Sequence, residues 1–111
     1  MWIMVGGPYT SGVRDEGGRQ RNLDVMNNAA LAIFEKGHVP IIGVNLALPI
    51  IDVAGRDRFD QIMMPISLAV AQRCDAFFRC GGPSLGADQE CDQFLARGLP
   101  VFYNLDDVPQ A

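Results

Sequence analysis

The sequence predicts an α/β domain, a small parallel sheet with helices on both faces, and three observations lead there. Short apolar runs alternate along the chain with longer segments whose apolar residues recur at steps of three and four, the order of strand, helix and strand. The first run, residues 1–5 (MWIMV), is apolar at every position, as a strand covered on both faces must be. Glycine closes two of the periodic segments, at Gly37 and Gly98, where a helix needs a residue tolerant of positive φ. Repeated strand–helix–strand units join parallel strands by right-handed crossovers. With 111 residues, 49% of them hydrophobic, the chain supports one core, so residues 1–111 are read as a single domain.

Each element follows from local pattern. Gly6-Gly7-Pro8 stops the first strand, and the glycine- and charge-rich stretch YTSGVRDEGGRQ reads as a loop. Leu23, Met26, Ala30, Ile33 and Phe34 then form a helical stripe ending at Gly37. Residues 38–42 read as a second strand, placed at a sheet edge because Pro40 has no N–H to give a ladder. Residues 43–57, GVNLALPIIDVAGRD, are too apolar for an ordinary loop, yet Pro49 and two glycines interrupt a regular pattern; they read as a flap over a pocket or a subunit contact. Phe59, Ile62, Met63, Ile66 and Val70 predict a helix that Pro65 must kink or reopen as a first-turn residue. Residues 75–80 read as the third strand, residues 85–97 as a helix with Ala87, Cys91, Phe94 and Leu95 inward, and residues 99–103 as the last strand.

Composition narrows the function. Nine basic against thirteen acidic residues give a net charge of −4, which argues against polymeric nucleic acid as a partner. Cys74, Cys80, Cys91 and the single histidine, His38, match no ligand spacing, so neither a metal nor a cofactor is expected. No apolar run approaches the roughly 18 residues of a membrane span, and the opening MWIMVGGPYT has no basic leader pattern, so a cytoplasmic location without membrane partners is expected.

In open parallel sheets ligands sit beyond the carboxyl ends of the strands. Two glycine-rich turns leave such ends, GGPYTSG after strand one and CGGPSLG after strand three. They nominate Gly6, Gly7, Ser11, Gly12, Ser84 and Gly86 as substrate- or phosphate-binding positions, through close backbone approach and the free N–H groups of a helix start. Ser84 is equally suited to a plain N-cap. Glu90 stands six residues after Ser84, too far for a capping box, and between Ala87 and Phe94 on the margin of the buried face. It is either a partly desolvated nucleophile or base with a raised pKa, or a rim carboxylate half-covered by Phe94. Neither turn carries a dinucleotide or P-loop fingerprint. Cys91 reads as a packing residue, and His38 belongs at the opposite end of the sheet.

The stretch PSLGADQE, with serine, glycine and glutamate at fixed spacing, resembles the nucleoside 2-deoxyribosyltransferase superfamily, in particular its deoxynucleoside 5′-monophosphate N-glycosidase branch and small bacterial relatives carrying S-x-G-A-x-x-E. The strand start at Asp75, the turn after strand one and the element order extend the resemblance over nearly the whole chain. It implies a flavodoxin-like or Rossmann-like three-layer sandwich with four to five parallel strands. It further implies that Glu90 attacks the anomeric carbon of a nucleoside or nucleoside monophosphate, that Ser84 holds a 5′-phosphate, and that the chain forms a homodimer or higher oligomer. The family's proton-donating aspartate falls on Ser67, with Asp60 the neighbouring carboxylate, and its orienting tyrosine falls on Ile3 or Met4, with Tyr9 in the following loop. Glu90, Tyr9 and Ser67 are therefore the catalytic positions, and the same crevice in an inactive nucleotide- or sugar-phosphate-binding protein is the alternative. Asn104, Asp106 and Asp107 are either near a neighbouring subunit's pocket or in a solvated terminal turn.

Overall fold

A computed structural model describes residues 1–111. Strand β1 (Trp2–Gly6) leads to helix α1 (Glu16–Glu35) and strand β2 (Val39–Ile41). Helices α2 (Gly43–Ala54) and α3 (Phe59–Ala71), separated by a 3₁₀ turn at Arg56–Arg58, connect to strand β3 (Ala76–Arg79). Helix α4 (Leu85–Ala96), strand β4 (Val101–Phe102) and a 3₁₀ turn at Leu105–Asp107 complete the chain. The strands are parallel throughout, in the order β2-β1-β3-β4, the start of a flavodoxin-like sheet.

Side-chain alternation along the two central strands divides the core into layers. Ile3, Val5, Ala76 and Phe78 pack with Met26, Ala29 and Ile33 of α1. Met4 and Phe77 point the other way, onto Ala71 of α3 and Cys91 and Phe94 of α4. The Phe77 and Phe94 rings stack with centroids 5.2 Å apart. Covered on both faces, β1 holds Ile3 and Met4 at 0% exposure, which is why its sequence shows no alternation. Pro40 lies on β2, an edge strand, where its missing N–H leaves no central ladder broken.

Three segments depart from the sequence reading. Helix α1 starts well before its apolar stripe, because Asp15 caps it by accepting the Gly18 N–H at 2.7 Å. Gly18 is buried there against Val13, where a side chain would collide at 2.7 Å. Residues 43–54 are the regular helix α2 and not a flap. Val44, Ala47 and Ile51 face inward at helical spacing, while Pro49 lies on the exposed side, where water reaches the carbonyl its ring leaves without a donor. The opposite stripe of α2 is apolar and uncovered, with Val53 90% exposed beside half-exposed Leu46 and Ile50. Helix α3 runs on through Pro65 for the same reason, the ring being exposed. No helix is long and apolar enough to cross a membrane.

Replacing Pro65 by alanine returns an N–H to the Gln61 carbonyl without touching the core. We expect Pro65→Ala to stabilise the fold by about 1–3 kcal/mol, read as a higher urea midpoint at unchanged slope. A lower midpoint would mean that the proline ring packs more usefully than its lost hydrogen bond costs.

Candidate active site

The two glycine turns meet because β1 and β3 are neighbours in register, Gly6 opposite Arg79. One more rung follows the last strand residue: the Cys80 N–H donates to the Gly6 carbonyl at 2.9 Å. Beyond it the chains nearly touch. A Cβ on Gly7 would lie 2.5 Å from the Cys80 carbonyl oxygen, and one on Gly81, which sits at φ +73°, would lie 2.7 Å from the Pro8 ring. Only glycine permits that approach.

Helix α4 rises from the second turn with Ser84 as its N-cap, the serine oxygen accepting the Ala87 N–H at 3.2 Å. The capping serine is buried, yet its own hydroxyl hydrogen remains available to a ligand. One and two-thirds turns on, by 3.6 residues per turn, Glu90 faces inward with Ala87, Cys91 and Phe94. Its side chain runs under Gly6, where an added Cβ would meet the Glu90 Oε1 at 2.6 Å and the Phe77 ring at 2.5 Å. Glu90 is 6% exposed, more deeply set than a rim carboxylate.

A cavity of about 300 Å³ opens over this carboxyl. Gly7, Tyr9 and Ser11 wall it from the first turn, Ser84 and Gly86 from the start of α4, and Ser67 from α3. Most of the nominated positions thus converge. Gly6 does not line the cavity but backs Glu90, and Gly12, at φ +76° with open space around it, lies outside. Tyr9 is buried, its ring stacked on Phe59 at 6.3 Å between centroids, and no hydrogen bond links it to Glu90. Asp60, in the first turn of α3, is an exposed carboxylate at the mouth. Thr10, Val44, Phe59, Met63, Met64 and Gln89 complete much of the wall and were not nominated. The inward stripe of α3 was visible in the sequence as core; that its first half faces a cavity depends on α2 folding as a helix beside it.

Burial pushes the Glu90 carboxyl up to about 7, against the opposing pull of the Ser67 hydroxyl and of the Arg79 guanidinium. Ser67 is 1% exposed; its hydroxyl donates weakly to the Met63 sulfur at 4.0 Å and is near enough to Glu90 to favour the ionised carboxyl. Arg79 is held outside the cavity by Asp88 at 2.6 Å and by the Gly82 carbonyl at 3.2 Å, an arrangement that also pins the glycine turn. No lysine, arginine or histidine lines the wall. Burial also drives the Cys80 thiol up to about 11, far from a reactive thiolate, and Cys91 packs among the core residues. His38 lies at the other end of the sheet, between the chain's amino group at 2.8 Å and the Pro109 carbonyl at 2.6 Å. No group of side chains is arranged to hold a metal ion.

The sign of the Glu90 effect on stability follows from its raised pKa. Below pH 4.5 the carboxyl is neutral in both folded and unfolded chains and has no effect; between pH 4.5 and about 7 the unfolded chain ionises first, so the fold loses stability as pH rises. Above pH 7 the loss is complete, about 3 kcal/mol. We expect Glu90→Gln to melt higher than wild type at pH 8, with the gap closing toward pH 5. A gap that does not change with pH would show that the carboxylate is ionised in the fold at no cost.

Neither a family model, nor a curated protein, nor a solved structure matches the chain.

Proposed function

We propose that the chain cleaves or exchanges the base of a nucleoside or nucleoside monophosphate, with Glu90 as nucleophile. The observation that carries this reading is the buried carboxyl of Glu90 at the inner end of a cavity of about 300 Å³, walled by both glycine turns. That volume lies at the small end of the range for small-molecule sites. An N-glycosidic bond breaks through an oxocarbenium-like state, and a desolvated carboxylate next to the anomeric carbon both stabilises that charge and traps the sugar as an ester. Water, or a second base, then releases it. Ser84, Ser11 and the first N–H groups of α4 offer partners to sugar hydroxyls or to a 5′-phosphate. The Ser67 hydroxyl acts as a positioning group, favouring the ionised form that a nucleophile requires.

One observation favours a second reading, a nucleotide- or sugar-phosphate-binding protein without turnover. Beside Glu90 stands the hydroxyl of Ser67 and no second carboxyl; Asp60 is seven residues earlier on α3, about 10 Å along its axis. General acid assistance to a leaving base is worth about 10²–10⁴ in rate, and a site lacking it turns over ordinary nucleosides slowly.

The test is release of free base from a panel of nucleosides and monophosphates, followed by chromatography for wild type and Glu90→Gln. Catalysis by Glu90 predicts release that the variant loses by at least about 10³-fold. Because the ionised form is the nucleophile, kcat/KM should climb with pH through about 7 and then level off. Activity that survives in Glu90→Gln overturns the assignment. A ligand that raises the melting temperature without being consumed supports the binding protein instead.

A further inference from the structure

The cavity is acidic, and beside Glu90 its wall carries no second carboxyl to protonate a leaving base. Its ionisable groups are Glu90 at the inner end, Asp60 at the mouth and the Tyr9 phenol, with no basic side chain among the lining residues. The one guanidinium that acts on Glu90 from outside, Arg79, is neutralised locally by Asp88 at 2.6 Å. With carboxylates at both ends and no basic side chain, such a cavity favours a cation, and only the first N–H groups of α4 are there to meet a phosphate. The hydroxyl of Ser67 beside Glu90 is a hydrogen-bond donor of ordinary acidity, unsuited to supply a proton in the transition state.

Both properties suit one class of substrate. Building on the reading of Glu90 as a glycosyl nucleophile, we infer that the preferred substrate is a nucleoside whose base is cationic at the glycosidic nitrogen or in conjugation with it, such as a pyridinium riboside or a 7-alkylated purine nucleoside. In these the leaving group is activated before it binds. As the Glu90 carboxylate oxygen bonds to C1′, the C1′–N bond breaks and its electron pair passes to the base, which cancels the positive charge, so the base departs neutral with no proton added. Water then attacks C1′ of the glycosyl ester, Glu90 leaves as carboxylate, and one proton goes to solvent. The sum is cationic nucleoside plus water giving neutral base, free sugar and a proton. The carboxylates at both ends of the cavity favour the cationic ground state, and Glu90, next to C1′, faces the positive charge as it moves to the sugar. The ring of Tyr9, stacked on Phe59 in the wall, supplies an aromatic surface for a cationic heterocycle.

The experiment compares substrates matched in shape and different in charge: 7-methylguanosine against guanosine, their 2′-deoxy and 5′-monophosphate forms, and nicotinamide riboside. Each is followed as released base for wild type, Glu90→Gln and Asp60→Asn. The inference predicts kcat/KM at least about 100-fold higher for the methylated or pyridinium nucleosides than for the neutral ones, since these need no general acid. It further predicts that Asp60→Asn lowers that value about two- to threefold for the cationic substrates alone. Glu90-dependent release from neutral nucleosides or monophosphates at rates equal to or above those of the cationic ones overturns the inference and leaves the N-glycosidase reading standing. No Glu90-dependent release from any member of the panel overturns both, and thermal shifts on the same panel then show which charge the crevice binds.

Discussion

A carboxyl group buried beneath the backbone of a glycine is the constraint on which this molecule turns. Glu90 and the Phe77 ring both occupy the place where residue 6 would carry a side chain, so the end of β1, the middle of β3 and the second turn of α4 are fixed by one another. Setting a carboxyl into that junction works against stability, because the surrounding residues, Met4, Phe77, Cys91 and Phe94, are apolar core. The fold would be better served by an apolar residue at position 90. A protein domain whose total stability is only about 5–15 kcal/mol has little room for such a group unless it has work to do.

The topology explains why the group is reachable at all. From β1 the chain turns toward β2 on one side of the sheet, and from β3 it turns toward β4 on the other, so the two loops part above a pair of strands that remain hydrogen-bonded below them. The space between departing loops is the crevice of open parallel sheets. Here it is closed laterally by α2 and α3, which bridge from the β2 edge back to β3 and bring Val44, Met63 and Ser67 to its side. The surroundings that desolvate Glu90 are thus divided between the strand ends and α4 itself, with Gly6, Phe77 and Phe94, and the α2–α3 segment remote in sequence from the motif.

That division decides what could be read from sequence. The strand and helix order and the edge position of Pro40 are consequences of local periodicity and were legible residue by residue. The convergence of the two glycine turns followed from a general property of parallel sheets. The helix α2 was not legible, since proline and glycine within an apolar stretch signal interruption, and only the exposed placement of Pro49 and Pro65 allows two regular helices there. From α2 only Val44 reaches the cavity wall, but its helix packs beside the α3 residues that line it. Glu90 looked like a marginal residue on the helix face, when the packing of α3 across it makes it part of the interior.

Packing also accounts for the missing second carboxyl. Gly43, at the start of α2, approaches Ser67 so closely that an added Cβ would stand 2.7 Å from the serine oxygen and 3.1 Å from its Cα. The glycine that opens one helix is thus fitted to the small residue at the middle of the next. An aspartate at position 67 would have to fit a larger, charged side chain between the Gly43 backbone and Glu90, crowding the glycine and placing two carboxyls in one desolvated corner. The serine is therefore tied to α2, and chemistry that needs a second acid at that place is incompatible with the α2–α3 contact as built. The glycosyl chemistry proposed for Glu90 would therefore need a leaving group that already carries its charge or acid supplied from the cavity mouth, and the length of α3 between Ser67 and the mouth favours the former.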